Sequence, residues 1–475
     1  MGVRRVAAGN SVTAHDLTKR SCGDATVAAA DRPTAGVPLL ARAPGEPIAI
    51  RRGAPVTAEA FLAQAQGLAR ELPATGTVIN VCEDRYRFLV AFAAALARGL
   101  TTLMPPNALE STVARIRDDW PGSVVVADAA GARFGAKVVA ADESLRAPPV
   151  NAAVPPELIA AVTFTSGSTG APMPQPKSWR ALVAGTAINL PHFLGEGAGP
   201  FSVVSTVPAQ HMYGFETTAL AALRGPVAMH DGRPFFPANV AAALMESPPP
   251  RVLVSTPVHL RALLASGMSF APVERVLSAT APLEAALARS VEALFGAGLV
   301  EIYGCTEVGS MAARRTAGGE AWRFFEGIRC RVDDGVARVR AAHIAGEVRL
   351  LDALEFRADG SFVLGGRDSD LVKIGGKRGS LAEVTRLLCA VRGVEDAVAF
   401  QLPGAADEAR LVALVVARTL DAAAVRAALV PLLDPVFIPR PLLIVPALPR
   451  SPTGKLAREA VLELYRQVAG AAATV

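Results

Sequence analysis

From about residue 37 the chain alternates short β-branched runs with longer helical stretches, and that alternation restricts the folds open to it. TVINVC (77 to 82) leads into a helical stretch reaching residue 98, then LTTLM, a second helical stretch from about 109, and SVVVAD. This order is βαβ grammar and predicts a parallel sheet covered on both faces. The grammar restarts after Pro155-Pro156 with IAAVTF, SVVSTVP (202 to 208), RVLVST (251 to 256), ERVLSA (274 to 279) and LVEIYG (299 to 304), which predicts a second doubly wound unit. Between about 325 and 365 the helices thin out. The alternating runs ARVRA, GEVRLL and SFVLGG there predict a small antiparallel sheet. After GGRDSD (365 to 370) mixed strands and helices resume, marking a boundary. The expected architecture is α/β. A large N-terminal domain (37–368) carries two doubly wound βαβ units and a small antiparallel β subdomain, and a smaller α+β domain (369–475) follows. Residues 1–36, rich in Ala, Gly, Ser, Thr and Asp without sustained periodicity, read as a loose tail.

Composition narrows the function classes. With 475 residues, 51% hydrophobic and 19% charged, the chain can bury sizeable cores, and it is neither disordered throughout nor a polyelectrolyte. Its net charge of +5 is spread over single residues and pairs such as Arg51-Arg52, and aromatics are only 5%, so a nucleic-acid footprint is not expected. The longest apolar run, FLVAFAAALA (88 to 97), stops at Arg98, too short to span a bilayer. The N-terminus has basic residues without an apolar segment behind them, so cytoplasmic residence is expected. Five separated cysteines, without a CxxC pair, suggest neither a disulfide framework nor a zinc site.

The most informative stretch is TFTSGSTGAPMPQPKSW, from Thr163 to Trp179. It follows an apolar run and precedes a helical one, which predicts a strand-to-helix connection whose backbone amides can face an anion. Gly167 and Gly170 allow close approach to phosphate. Thr165, Ser166, Ser168 and Thr169 add hydroxyl donors, and Lys177 adds a charge. A P-loop is ruled out because the residue before Lys177-Ser178 is Pro176 and the earlier glycine position is Ala171. Taken alone, such a cluster is also compatible with a plain surface turn.

Four further segments occur in order: PAQHMYG (208 to 214), IYGCTE (302 to 307), GGRDSDLVKIGGKR (365 to 378) and LPRSPTGK (448 to 455). Together with TSGSTG they resemble the signatures of adenylate-forming enzymes, which include acyl- and aryl-CoA ligases, peptide-synthetase adenylation domains and luciferases. The resemblance implies two half-reactions, in which a carboxylate attacks the α-phosphate of ATP and a thiol then attacks the acyl-adenylate. It implies that Thr165 to Gly170 hold the departing phosphates, with Lys177 nearby. Glu307 would ligate Mg²⁺, Thr306 would donate to the α-phosphate, and Tyr303 would stack on adenine opposite Ala281 and Pro282. Asp352 and Arg367 would contact the ribose, His211 would border the carboxylate pocket, and Lys455 would act in catalysis from a mobile C-terminal lid.

Departures from the family pattern are informative. The inserted MPQ displaces Lys177, and the expected hinge position falls on Ser369 between Asp368 and Asp370. Gly375 and Gly376 fall where the family lines a pantetheine channel. Near PAQHMYG the nearest acid is Glu216, which disfavours an α-amino acid substrate. At finer grain, CEDRYRF, MPPN and PMPQPKSW resemble aryl polyene and xanthomonadin-type ligases, implying transfer of a hydroxybenzoate-like acid to acyl carrier protein pantetheine. The alternatives are a fatty or aryl acyl-CoA ligase using free CoA and, from another class, a noncatalytic nucleotide-binding relative.

Overall fold

The computed structural model describes residues 36–129, 134, 138–166, 172–195, 199–367, 371–374, 377–402, 411–451, 454 and 456–472. The expected N-terminal tail therefore lies outside the described residues, apart from residue 36. The chain divides into two compact units. One comprises the segment ending at Leu40 with Glu59–Thr163 and Pro176–Arg180, and the other holds Ala41–Ala58, Phe164–Gln175 and everything from Ala181 onward.

A six-stranded sheet, most of whose residues belong to the first unit, has the spatial order Pro172–Ser178, Ile159–Ser166, Thr101–Met104, Thr77–Asn80, Val124–Ala127, Val138–Ala140. Four successive neighbour pairs, from Ile159–Ser166 to Val138–Ala140, run parallel, as the alternation predicts. The helix Arg85–Ala97 is buried along almost its whole length, so its apolar run serves as core. Asp84 caps it by accepting a hydrogen bond from the Arg87 amide, which fixes where the helix starts.

One expectation fails here. The glycine-rich segment does not lead directly into a helix, because Pro172–Ser178 is itself a strand and the helix begins only at Trp179. The reason is the proline spacing. Pro172, Pro174 and Pro176 hold φ near the extended region and lack an N–H, which suits a strand on the margin of a sheet.

The second unit carries a nine-stranded sheet ordered Arg323–Phe324, Gly309–Arg314, Gly298–Cys305, Arg275–Ser278, Arg251–Ser255, Phe201–Ser205, Val227–His230, Pro47–Arg51, Ala54–Thr57. From Gly298–Cys305 to Pro47–Arg51 the neighbours are parallel, and antiparallel strands close both margins. Val204, Leu253, Val276 and Leu299 from the central strands pack with Val240, Leu260 and Val291 from covering helices in one core. The predicted antiparallel subdomain is present as Arg329–Asp333, Val336–Arg340 and Val348–Arg349, with the hairpin Asp352–Phe356 and Phe362–Arg367 beside it in sequence.

The C-terminal part has its own small sheet, Val394–Phe400, Val412–Ala417 and Leu442–Ile444, and its faces bury two separate apolar clusters. Leu388, Val425 and Leu429 fill one cluster, while Val461 and Leu462 of the last helix fill the other.

Candidate active site

In the second unit the candidate residues collect at the carboxyl ends of neighbouring parallel strands, where open α/β sheets bind ligands. His211 lies in the loop after Phe201–Ser205, Ala281 and Pro282 follow Arg275–Ser278, and Tyr303 ends Gly298–Cys305. Ser278 and Glu301 are register partners, so these last two segments leave the sheet side by side.

Thr306 and Glu307 occupy the tip of the hairpin joining Gly298–Cys305 to Gly309–Arg314. Its glycines are dictated by space. A Cβ on Gly304 would lie 2.4 Å from the Gly309 carbonyl oxygen, and Gly309 itself has φ +90°. Two contacts hold the tip from behind: His343 Nε2 donates to the Val308 carbonyl (2.9 Å), and the buried Glu216 carboxylate accepts from the Ser310 amide and hydroxyl (3.1 and 2.6 Å to Oε2). Glu216 Oε1 also accepts from Asn189 Nδ2 (3.1 Å). This carboxylate is therefore engaged by the protein's own donors.

Glu216 sits in a π-helical stretch, Phe215–Leu220, which follows the single turn Met212–Gly214. Such widened turns favour functional sites. His211 is at the start of that turn in extended conformation and is half-buried. Gly214 is obligatory, since a Cβ there would meet the Pro208 carbonyl oxygen at 2.1 Å.

Tyr303 donates its hydroxyl to Asp352 Oδ2 at 2.8 Å. Asp352 begins the strand Asp352–Phe356, directly across from Arg367, so the two expected ribose contacts are register partners. Tyr303 is flanked by the rings of Trp322 (5.7 Å) and Phe362 (6.2 Å), which fix its plane.

In the LPRSPTGK segment the described residues are Leu448–Ser451 and Gly454. Arg450 and Leu456 form an antiparallel bridge, and the Gly454 amide donates to the Ser451 carbonyl (2.8 Å). The Arg450 guanidinium grips Asp396 with two 2.6 Å bonds and donates a third to the Gly454 carbonyl (2.6 Å). Gly454, at φ +80°, is buried where an added Cβ would touch Val258 and approach Thr256, just beyond the end of the strand Arg251–Ser255. Gly454 therefore lies at the same sheet end as the other candidates in this unit.

Beside it, His259 is buried. Its Nδ1 is hydrogen-bonded to Thr256 Oγ1 (3.0 Å) and Thr206 Oγ1 (3.3 Å). Burial, with Arg233 nearby, lowers its pKa to about 4, so the ring is neutral at pH 7.

Several expected residues are placed only in part. Thr165 and Ser166 end the strand Ile159–Ser166, and Lys177 is buried on the marginal strand Pro172–Ser178. Gly167, Ser168, Thr169, Gly170, Ser369, Gly375, Gly376 and Lys455 lie outside the described residues. Glu216, Glu301, His343 and the Arg450–Asp396 pair were not singled out as site-building residues from sequence. Only the hydrogen bonds and ion pairs of the folded chain reveal them.

A model of the family described as "AMP-binding enzyme" matches residues 40–332. The chain belongs to this family. It is similar to 4-coumarate–CoA ligases of Rhodobacter capsulatus (34% identical over 249 residues, 52% of this chain and 62% of that protein) and Halorhodospira halophila (32% over 264 residues, 55% and 64%). It is also similar to sulfoacetate–CoA ligase of Cupriavidus necator (30% over 346 residues, 64% and 66%). The chain thus spans just under two thirds of the length of these curated relatives. Among solved structures, ATP-bound MatB from Rhodopseudomonas palustris shares the fold with a TM-score of 0.76 at 20% identity, covering 90% of this chain and 97% of that one. The anthranilate–CoA ligase AuaEII with anthranoyl-AMP does so at 0.75 and 16%, covering 90% and 95%.

Proposed function

We propose that this AMP-binding enzyme is an ATP-dependent acid–thiol ligase acting on a small carboxylic acid. The observation that carries the reading is the Tyr303–Asp352 hydrogen bond beside the Thr306–Glu307 hairpin, at the sheet end where Gly454 also lies. An aromatic face, a carboxylate suited to a ribose diol, a hydroxyl donor and a second carboxylate make a donor set for an adenosine phosphate. Glu307 would hold Mg²⁺ through its carboxylate, and that hard cation would supply charge neutralisation at the phosphates.

In the first half-reaction a carboxylate oxygen of the acid bonds to the α-phosphorus, and the bond to the pyrophosphate oxygen breaks. Charge grows on the nonbridging α-oxygens, where Thr306 donates a hydrogen bond and Lys455 brings an ammonium. Asp352 and Arg367 fix the ribose, and Tyr303 fixes the adenine against Ala281 and Pro282. Thr165 to Gly170 hold the departing phosphates, and His211 borders the acid. In the second half-reaction a thiolate sulfur bonds to the acyl carbon and AMP leaves. Rate is gained by positioning and electrostatics.

For the acid, we favour an aryl carboxylate of the hydroxybenzoate or hydroxycinnamate type. Two relatives named for 4-coumarate support that class, and their naming as CoA ligases favours CoA as acceptor over a carrier protein. The test is pyrophosphate release from ATP and Mg²⁺ across hydroxybenzoates, 4-coumarate, sulfoacetate and fatty acids, with CoA and holo carrier protein supplied separately. An acid-dependent signal with CoA loading is expected; carrier-protein loading alone would reverse the acceptor. Lys455→Ala should slow adenylation by on the order of 10²–10³. ATP binding without pyrophosphate release for any acid would overturn the reading.

A further inference from the structure

Glu301 lies one strand turn before Tyr303, on the same face of Gly298–Cys305, and only 4% of it is exposed. Nothing in the reaction above uses it, yet its carboxylate is held at three points. Oε1 accepts from the Leu283 amide (3.2 Å), and Oε2 accepts from Arg314 Nε (2.7 Å) and the Thr316 hydroxyl (2.6 Å). Burial pushes its carboxyl up, while Arg314 opposes that shift.

These partners lead to both sides of the nucleotide site. Leu283 directly follows Ala281 and Pro282. In the same short segment Thr280 holds φ +78°, a conformation a β-branched residue avoids unless its surroundings impose it. The bond from the Leu283 amide to Glu301 fastens that segment to the sheet. On the other side, the Arg314 guanidinium lies 4.5 Å over the Trp322 ring, and Trp322 packs against Tyr303, whose hydroxyl is fixed by Asp352.

We propose that Glu301 is a positioning residue that sets the separation between the Ala279–Pro282 segment and the Tyr303 ring, and so tunes affinity for the adenine of ATP without touching it. The inference rests on the acid–thiol ligase reading above. In Glu301→Gln the amide has one oxygen for two sites, so either the Arg314 guanidinium or the Leu283 amide faces an NH2 donor in place of an acceptor. The wall that loses its acceptor then relaxes away from the other. The effect belongs to nucleotide binding, because neither wall carries the acid or the thiol.

The test compares Glu301→Gln with the native enzyme by steady-state pyrophosphate release and by calorimetric titration with ATP and Mg²⁺. The expected result is a rise of about 10-fold in KM for ATP and in its dissociation constant, with kcat and KM for the acid within about 2-fold. Arg314→Lys keeps a cation but gives up the planar stack on Trp322, and it should shift KM for ATP in the same direction by a smaller factor. It carries the test if Glu301→Gln fails to fold. Lowered thermal stability with KM for ATP unchanged in the folded variants would overturn the proposal and leave Glu301 a core residue only. An inactive native enzyme that still binds ATP would instead refute the ligase reading. In that case calorimetry alone decides for Glu301, an unchanged dissociation constant in the variants overturning the proposal.

Discussion

Removing the Arg450 guanidinium tests whether Gly454 must be held in place for adenylation. Arg450 and Asp396 are 20% and 19% exposed and joined by two 2.6 Å bonds, with a third from Arg450 to the Gly454 carbonyl. Charge-assisted hydrogen bonds are worth about 1.5–3 kcal/mol each when buried. Exposed ion pairs are worth well under 1 kcal/mol, and one fifth of each side chain is in water. The pair should therefore contribute about 2 kcal/mol of coupling, equivalent to roughly a 30-fold bias toward the held position. Arg450→Met should slow single-turnover adenylation by up to about 30-fold while leaving ATP affinity unchanged. Asp396→Asn should act similarly, and the double variant should be little worse than either single one. The assay is rapid-quench formation of the acyl-adenylate from the four members of this cycle, alongside urea denaturation of each. Coupling below about 0.5 kcal/mol in the rates would refute the argument. So would unfolding data that account for the whole loss.

Glu216→Ala should strand the Ser310 amide and hydroxyl and Asn189 Nδ2 in the interior, destabilising the fold by about 3 kcal/mol in urea titration; a change under half that would mean water replaces the carboxylate. Gly304→Ala places a methyl against the Gly309 carbonyl oxygen, so the hairpin tip must shift, and adenylation should fall about 10²-fold with the acid's KM little changed. His259 is neutral when folded because its pKa is depressed from 6.5 to about 4. The unfolded chain binds that proton more readily, so this contribution is complete above pH 6.5 and is lost as pH falls toward 4. Between pH 7 and 5 the native protein should lose about 2 kcal/mol that a His259→Gln variant retains, as measured by denaturation at both pH values.

Many of the parallel strands in the two sheets were legible because each is a short apolar run bounded by helix or turn signals. SVVSTVP, RVLVST and ERVLSA lie within one to three residues of the strands observed. The small antiparallel sheet was legible from its alternation. The strand Pro172–Ser178 was misread because three prolines suggest a loop, whereas their alternate spacing fits a marginal strand. Tyr303, Thr306 and Glu307 could be proposed from sequence because IYGCTE is one local motif. Glu216, Glu301 and Asp396 could not, because their meaning lies in partners 94, 18 and 54 residues away. A buried carboxylate looks like a solvated one until the chain has folded around it. Lys177, read from sequence as a charge in a loop, is buried on the strand Pro172–Ser178, a placement set by the proline spacing.

The same proline strand governs how copies of this protein can meet. In a strand, residues two apart direct their backbone groups to one side, so Pro172, Pro174 and Pro176 share a side, and the ladder to Ile159–Ser166 leaves them the outer one. That margin offers carbonyl oxygens without a matching N–H. A strand arriving from another molecule would find acceptors for its own amides but no donors for its carbonyls, and each unmet carbonyl would be stripped of water for nothing in return. Sheet-to-sheet fusion through this side is thus closed to a chain with a net charge of only +5, which has little long-range repulsion to keep its copies apart.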